Sequence, residues 1–203
     1  MNSRPLILAS GSPRRRDLLT EAGYLFRVVP PRDGAEPPGL CSGCGPAETV
    51  ADLALRKAAD VADQLSSIED DPLLLAADTV AECGGAILGK PRDEDDARRI
   101  LLHLSGRRHR VYTGVCLHDL QSPLDSLVAV TELEMDVLSD VWLDAYLASG
   151  QWEGKAGAFG YQDDLGVIRI TSGAASNVVG LPIEDLAPKL GRAGCFPART
   201  GQP

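Results

Sequence analysis

No apolar run in this sequence approaches the roughly 20 residues that a membrane-spanning helix requires. The longest stretches fall around residues 72–77 and 111–117, so no part of the chain is expected to cross a bilayer. The run Leu6 to Ala9 is too short for a signal-type hydrophobic region and reads as a first β-strand. A secreted disulfide pattern is also missing. The five cysteines, Cys41, Cys44, Cys83, Cys116 and Cys195, form an odd set, which suits a reducing, cytoplasmic setting. Cys41 and Cys44 have the spacing of half a zinc site or a redox motif. No second pair or histidine cluster follows, so a loop feature without chemistry is the plainer reading. Net positive charge is lacking too, since 20 Lys and Arg against 29 Asp and Glu leave a formal charge of -9. Such a field repels polymeric nucleic acid and anionic membranes, and neither is expected as a partner. A small anionic ligand stays open wherever the few cations cluster.

The chain holds 203 residues, 44% of them hydrophobic, without internal repeat, low-complexity tract or linker. That suits one α/β domain over residues 1–203, in two lobes, with residues 191–203 a loose tail. Strands are expected at residues 6–9, 25–29, 107–118, 126–137 and 165–170, and a hairpin from 72 to 88 turning at Gly84-Gly85. Helices are expected from Pro13 to Ala22, over 47–66 on the spacing of Val50, Leu53, Ala54, Ala58 and Val61, and over 93–103, 139–149 and 182–190. Residues 30–46 and 150–164 read as loops. Helices mixed with hairpins argue for a mixed rather than all-parallel sheet.

Three places carry candidate chemistry. Ser10-Gly11-Ser12-Pro13-Arg14-Arg15-Arg16 puts a tight turn, a capping serine and an N1 proline at a helix start. Its free backbone N–H groups and arginines would cradle phosphate oxygens; the alternative is an ordinary capped helix with a solvated basic turn. Lys57 lies beside the apolar stripe of the long helix, where it either reaches a cleft or snorkels at the surface. In the hairpin, a turn centred near Gly84 sets Asp78 almost opposite Lys90. That pair is either a surface ion pair, or a catalytic base or metal ligand beside a phosphate-neutralising lysine.

The segments Leu8-Ala9-Ser10-Gly11-Ser12-Pro13-Arg14-Arg15, Ala77-Asp78-Thr79, Gly89-Lys90-Pro91, Leu104-Ser105-Gly106 with His109, Lys155-Ala156-Gly157-Ala158-Phe159-Gly160-Tyr161-Gln162 and Ser176-Asn177-Val178-Val179-Gly180-Leu181-Pro182 together resemble the successive signatures of Maf proteins. The resemblance covers roughly residues 6–190. It implies the fold shared with inosine triphosphate pyrophosphatases, an elongated mixed β-sheet flanked by helices, with a central cleft between two lobes. It also implies an enzyme, a nucleotide diphosphatase that cuts a nucleoside triphosphate into monophosphate and pyrophosphate with a divalent cation, Mg or Mn. Asp78 then matches the general base, and Ser10, Ser12, Arg14, Arg15, Lys57 and Lys90 the phosphate-binding surface. Lys155 joins the substrate-binding set through its segment. Glu36 matches a metal ligand in Asp33-Gly34-Ala35-Glu36, where Ala35 replaces a second family Asp.

Arg14, Thr79 and Gln162 resemble the family branch that acts on dTTP and UTP. The Gln side chain offers a donor and an acceptor to the mixed edge of a uracil or thymine ring. Clearing of non-standard nucleotides belongs to that expectation. The alternatives are the 7-methyl-GTP branch and a non-catalytic nucleotide-binding regulator of cell division. The resemblance allows a homodimer, and an insertion at residues 41–45 sets this chain apart near the cleft.

Overall fold

The computed structural model describes residues 3–32, 44–65, 71–163 and 166–198. Leu6–Leu8 form β1, whose three side chains are all buried, so the short apolar run is spent entirely on the core. Pro13–Glu21 follow as α1, Phe26–Val28 as β2 and Pro46–Gln64 as α2. Leu73–Cys83 form β3 without interruption, and the expected turn at Gly84-Gly85 leads to β4, Ala86–Leu88. Both turn glycines have positive φ, +60° and +85°, as a two-residue hairpin of this hand demands. Glu94–Leu104 form α3, Arg108–His118 β5, Pro123–Met135 β6 and Asp140–Ala148 α4. Two 3-10 turns, Ala156–Ala158 and Tyr161–Asp163, break the loop expected over 150–164. The last elements are β7 (Ile168–Ser172), α5 (Ala175–Val179) and α6 (Ile183–Arg192). No helix among the described residues is long and apolar enough to cross a membrane.

The strands make one mixed sheet in the order β2-β1-β3-β5-β6-β7, with β4 added to β3. β1 runs parallel to β2 and β3, whereas β3, β4, β5, β6 and β7 pair antiparallel. Helices cover both faces and give three apolar clusters. On one face the stripe Ala54, Ala58 and Val61 of α2 packs on Ile7, Ala9, Leu74 and Ala76. On the other, Leu19 of α1 and Leu186 and Leu190 of α6 pack on Leu6, Leu8, Leu73 and Leu75. At the far end Ala97, Ile100, Leu101 and Leu104 of α3 meet Leu143 and Leu147 of α4 over Ala81, Val111 and Leu133. These α3 positions repeat at helical spacing, and its start is capped by Asp93, whose carboxylate accepts from Asp96 N at 2.8 Å.

The registers explain why a cleft exists. β1 meets β3 only at Leu73, Leu74 and Leu75. β4 meets it only at Ala81, Glu82 and Cys83, while β5 pairs along the opposite edge from Leu74 to Glu82. Among the described residues, 76–80 of β3 therefore have a strand partner on one edge alone. The sheet opens there, and Asp78 and Thr79 sit in the opening.

Several sequence expectations change. Residues 191–198 are packed rather than loose: Arg4 N donates to Gly194 O, Ala198 N donates to Gly23 O, and Cys195 is buried. Tertiary contacts with the start of the chain hold a segment whose own composition gave no reason to order. The last strand begins at Ile168 rather than at residue 165.

Candidate active site

Asp78 and Gly114 face each other across β3 and β5. A Cβ on Gly114 would lie 2.3 Å from Val50 O, so α2 rests with its backbone directly on this glycine. That close approach brings Lys57, in the middle of α2, over the sheet. Its Nζ donates to Asp78 Oδ1 at 2.5 Å, and both side chains are buried. Lys57 is thus no snorkelling surface lysine.

The expected pairing of Asp78 with Lys90 does not form. The turn occupies Gly84 and Gly85 with Ala81 opposite Leu88, and β4 ends at Leu88, before Lys90 could pair. Lys90 still lines the same cleft as Asp78 and Lys57. It makes no hydrogen bond or ion pair among the described residues.

The start of α1 forms the near rim. Ser12 holds the N-cap position, yet its side chain caps nothing. Instead Ser10 Oγ accepts from Ser12 N at 3.2 Å. No acidic side chain occupies the first turn, so the positive end of the helix dipole is left to favour an anion. Arg15 ties the rim together by donating to Ser10 Oγ at 3.1 Å, Thr79 Oγ1 at 3.0 Å and Gly180 O at 2.8 Å. Arg14 reaches across the opening to Gly154 O at 2.8 Å.

The far rim comes from the loop after α4. Lys155 pairs with Asp163, and Gly160 leaves room for that pair, because a Cβ there would lie 2.6 Å from Lys155 Nζ. Burial first, and then the Asp163 carboxylate, push the nearby Tyr146 phenol up. Gln162 stands in the adjacent turn and lines the cleft.

The resulting cleft has a volume of about 480 Å3. Ser10, Ser12, Arg14, Arg15 and Lys57 line it, as do Asp78, Thr79, Lys90, Lys155 and Gln162. Separate stretches of sequence thus converge on one space. Its walls carry five cations, Arg14, Arg15, Lys57, Lys90 and Lys155, against the carboxylates Asp78 and Glu153. In a chain of formal charge -9, this is a local reversal of sign that suits an anionic ligand. Glu36 and Cys41 lie outside the described residues.

Sequence reasoning did not single out Thr113, Asp163 or Glu153, and it carried Asn177 only as one member of a signature segment. Thr113 and Asn177 are fully enclosed beneath the cleft, where Thr113 Oγ1 donates to Asn177 O at 3.0 Å. Asn177 Nδ2 donates to Val111 O and to Thr131 Oγ1. For Thr113 the available signal was a hydroxyl inside a largely apolar strand. Asp163 carried the weaker signal of adjacency to Gln162.

The chain matches the family model described as Maf-like protein over residues 5–193. A dTTP/UTP pyrophosphatase of Rhodopirellula baltica is 52% identical over 190 residues, covering 92% of this chain and 81% of that protein. A dTTP/UTP pyrophosphatase of Ruegeria sp. is 42% identical over 189 residues, with 93% and 94% covered. One from Anaeromyxobacter dehalogenans is 43% identical over 203 residues, with 98% of each covered. Among solved structures, a HAM1 protein from Coxiella burnetii aligns at TM-score 0.43 with 18% identity, over 65% of this chain and 73% of that one. A nucleoside-triphosphatase, dITP/XTP pyrophosphatase, from Mycobacterium abscessus aligns at TM-score 0.42 with 14% identity, over 94% of each chain.

Proposed function

The chain belongs to the Maf-like protein family, and from that premise we propose that it hydrolyses dTTP and UTP to the nucleoside monophosphate and pyrophosphate. The observation that carries this reading is the buried pair of Asp78 and Lys57 at 2.5 Å, set in a cleft whose walls hold five cations. Phosphoryl transfer asks for positioning and charge neutralisation more than for covalent help, and these residues supply both. The start of α1, with Arg14 and Arg15, receives phosphate oxygens through backbone N–H groups and guanidinium donors. Lys90 and Lys155 add charge from the other side.

Asp78 takes a proton from the attacking water as general base. Lys57 holds Oδ1, while Oδ2 makes no hydrogen bond among the described residues. The water oxygen bonds to the α phosphorus, the bond from that phosphorus to the bridging oxygen breaks, and its electron pair leaves with pyrophosphate. Arg14, Thr79 and Gln162 select the base.

A divalent cation belongs to this reading. Among the described residues no group of three or more His, Cys, Asp or Glu could hold a metal alone. Mg commonly binds through one or two carboxylates plus phosphate oxygens, so the cation of this reading is shared with the substrate. Glu36 would hold it together with substrate phosphate oxygens, and all-oxygen donors suit Mg or Mn. When bound, the ion neutralises charge on the phosphate oxygens. A cytoplasmic location, where nucleoside triphosphates are available, is part of the same proposal.

The test is a panel of dTTP, UTP, CTP and 7-methyl-GTP with Mg or Mn, following pyrophosphate. Preference for dTTP and UTP is expected. Preference for 7-methyl-GTP would overturn the substrate assignment, and absence of pyrophosphate would overturn the reaction.

A further inference from the structure

Beneath the cleft runs a chain of hydroxyl groups whose hydrogen-bond direction can be worked out. Arg15 Nη2 lies 3.0 Å from Thr79 Oγ1, Thr79 Oγ1 lies 3.0 Å from Thr113 Oγ1, and Thr113 Oγ1 lies 3.0 Å from Asn177 O. Thr79 and Thr113 are direct neighbours across β3 and β5, so this spacing is built into the sheet register. A guanidinium can only donate and a carbonyl oxygen can only accept, while each threonine hydroxyl has one hydrogen and two lone pairs.

The two ends fix what lies between. Thr113 is 0% exposed. Were its hydrogen not on Asn177 O, two oxygens would meet at 3.0 Å lone pair to lone pair, at a position closed to bulk solvent. Thr113 therefore donates to Asn177 O and accepts from Thr79. The single hydrogen of Thr79 is spent inward on Thr113, and one of its lone pairs is filled by Arg15. What Thr79 has left for the cleft is one lone pair. Gly180, which shares the backbone turn with Asn177, keeps the arrangement close: its φ is +118°, and a Cβ there would lie 3.4 Å from Thr79 Oγ1.

We infer that Thr79 meets the substrate only as a hydrogen-bond acceptor and that Thr113, through this relay, is a positioning residue for base selection. The inference rests on the dTTP and UTP reading and deepens it. The pairing edge of uracil or thymine carries an N3–H donor between two carbonyls, which an acceptor-only hydroxyl satisfies. Cytosine presents a bare ring nitrogen at the same place, and its lone pair would face that of Thr79. A site made to accept a hydrogen bond rejects an analogue that lacks the donor. Base discrimination thus depends on a buried threonine that does not itself line the cleft.

The test compares kcat/KM for UTP and CTP in the parent protein, Thr113→Val and Thr113→Ser. Valine removes the inward acceptor and frees the Thr79 hydrogen to turn toward the cleft. The preference for UTP over CTP is expected to fall roughly tenfold, about 1.4 kcal/mol of discrimination, and serine is expected to restore it. A general packing defect would lower both substrates alike and leave their ratio unchanged, and that result overturns the inference. A second measurement needs no variant: the parent protein should turn over N3-methyl-UTP at least tenfold less efficiently than UTP, by the same conversion. Equal use of the two overturns the inference even if Thr113→Val does not fold. A parent protein that releases pyrophosphate from neither UTP nor dTTP overturns the underlying reading, and the inference with it.

Discussion

Lys57 Nζ lies 2.5 Å from Asp78 Oδ1, with only 6% and 11% of the two side chains exposed. Removing two opposite charges from water costs several kcal/mol per ion before their attraction is counted, so such a pair is weak evidence of a stabilising device. Its place at residues 76–80 of β3, which among the described residues lack a strand on one edge, gives it another purpose. It holds a carboxylate at a fixed position beside a cationic cleft.

Asp78→Asn keeps the volume of the side chain and removes its basicity. Pyrophosphate release from dTTP should fall by about two to four orders of magnitude, the range of a general base. KM should change only a few-fold, and circular dichroism should match the parent. Retention of more than a tenth of the parent kcat would remove Asp78 from the catalytic role.

Lys57→Met strands the buried carboxylate and should lower stability by about 3 to 5 kcal/mol, as breaking a buried ion pair does. Adding Asp78→Asn to it should recover much of that loss without recovering turnover. Urea titration of the single and double variants separates the two effects. A double variant no more stable than Lys57→Met would contradict the buried-pair account.

Gly114→Ala places a methyl group 2.3 Å from Val50 O, against backbone that cannot swing aside like a side chain. The helix must move off the sheet, at a cost of about 1 to 3 kcal/mol, the usual size of overpacking. Lys57 moves with it, so turnover should drop further than stability alone accounts for. Parent-like kcat in this variant would show that the approach of α2 does not set the pair.

His109, packed edge-on against Phe159 at 5.4 Å, has its imidazole pushed down by burial from 6.5 to about 4. Between those values the unfolded chain binds a proton that the folded chain refuses, so stability falls as pH drops from about 6.5 to 4. His109→Gln should flatten that part of the curve. Thermal melts across the window check it, and parallel slopes for the two proteins would contradict the assignment.

The sheet and its helices were legible because periodicity survives in the sequence. The α2 stripe, the Gly84-Gly85 turn and the Ser139 cap each state their structure locally, and Ser139 does accept from Trp142 N at 3.2 Å. The candidate site was legible as a set of separate segments and not as geometry. The partner of Asp78 was misplaced because an estimate of hairpin register cannot see α2, which delivers Lys57 from 21 residues earlier in the chain. Thr113, and the contact that Asn177 makes with it, stayed hidden for the same reason. Their meaning lies in contacts of 64 residues' separation, which neither spacing nor propensity encodes. The packed segment up to residue 198 followed suit, since it is the start of the chain that holds it.

Cleavage between the α and β phosphates is tested most directly by a single reaction in 18O-water with dTTP and Mg, with products resolved by mass. The account predicts dTMP and pyrophosphate in equal amounts, with the label on dTMP, where water has attacked the α phosphorus. dTDP with orthophosphate, or label carried on pyrophosphate, would contradict it.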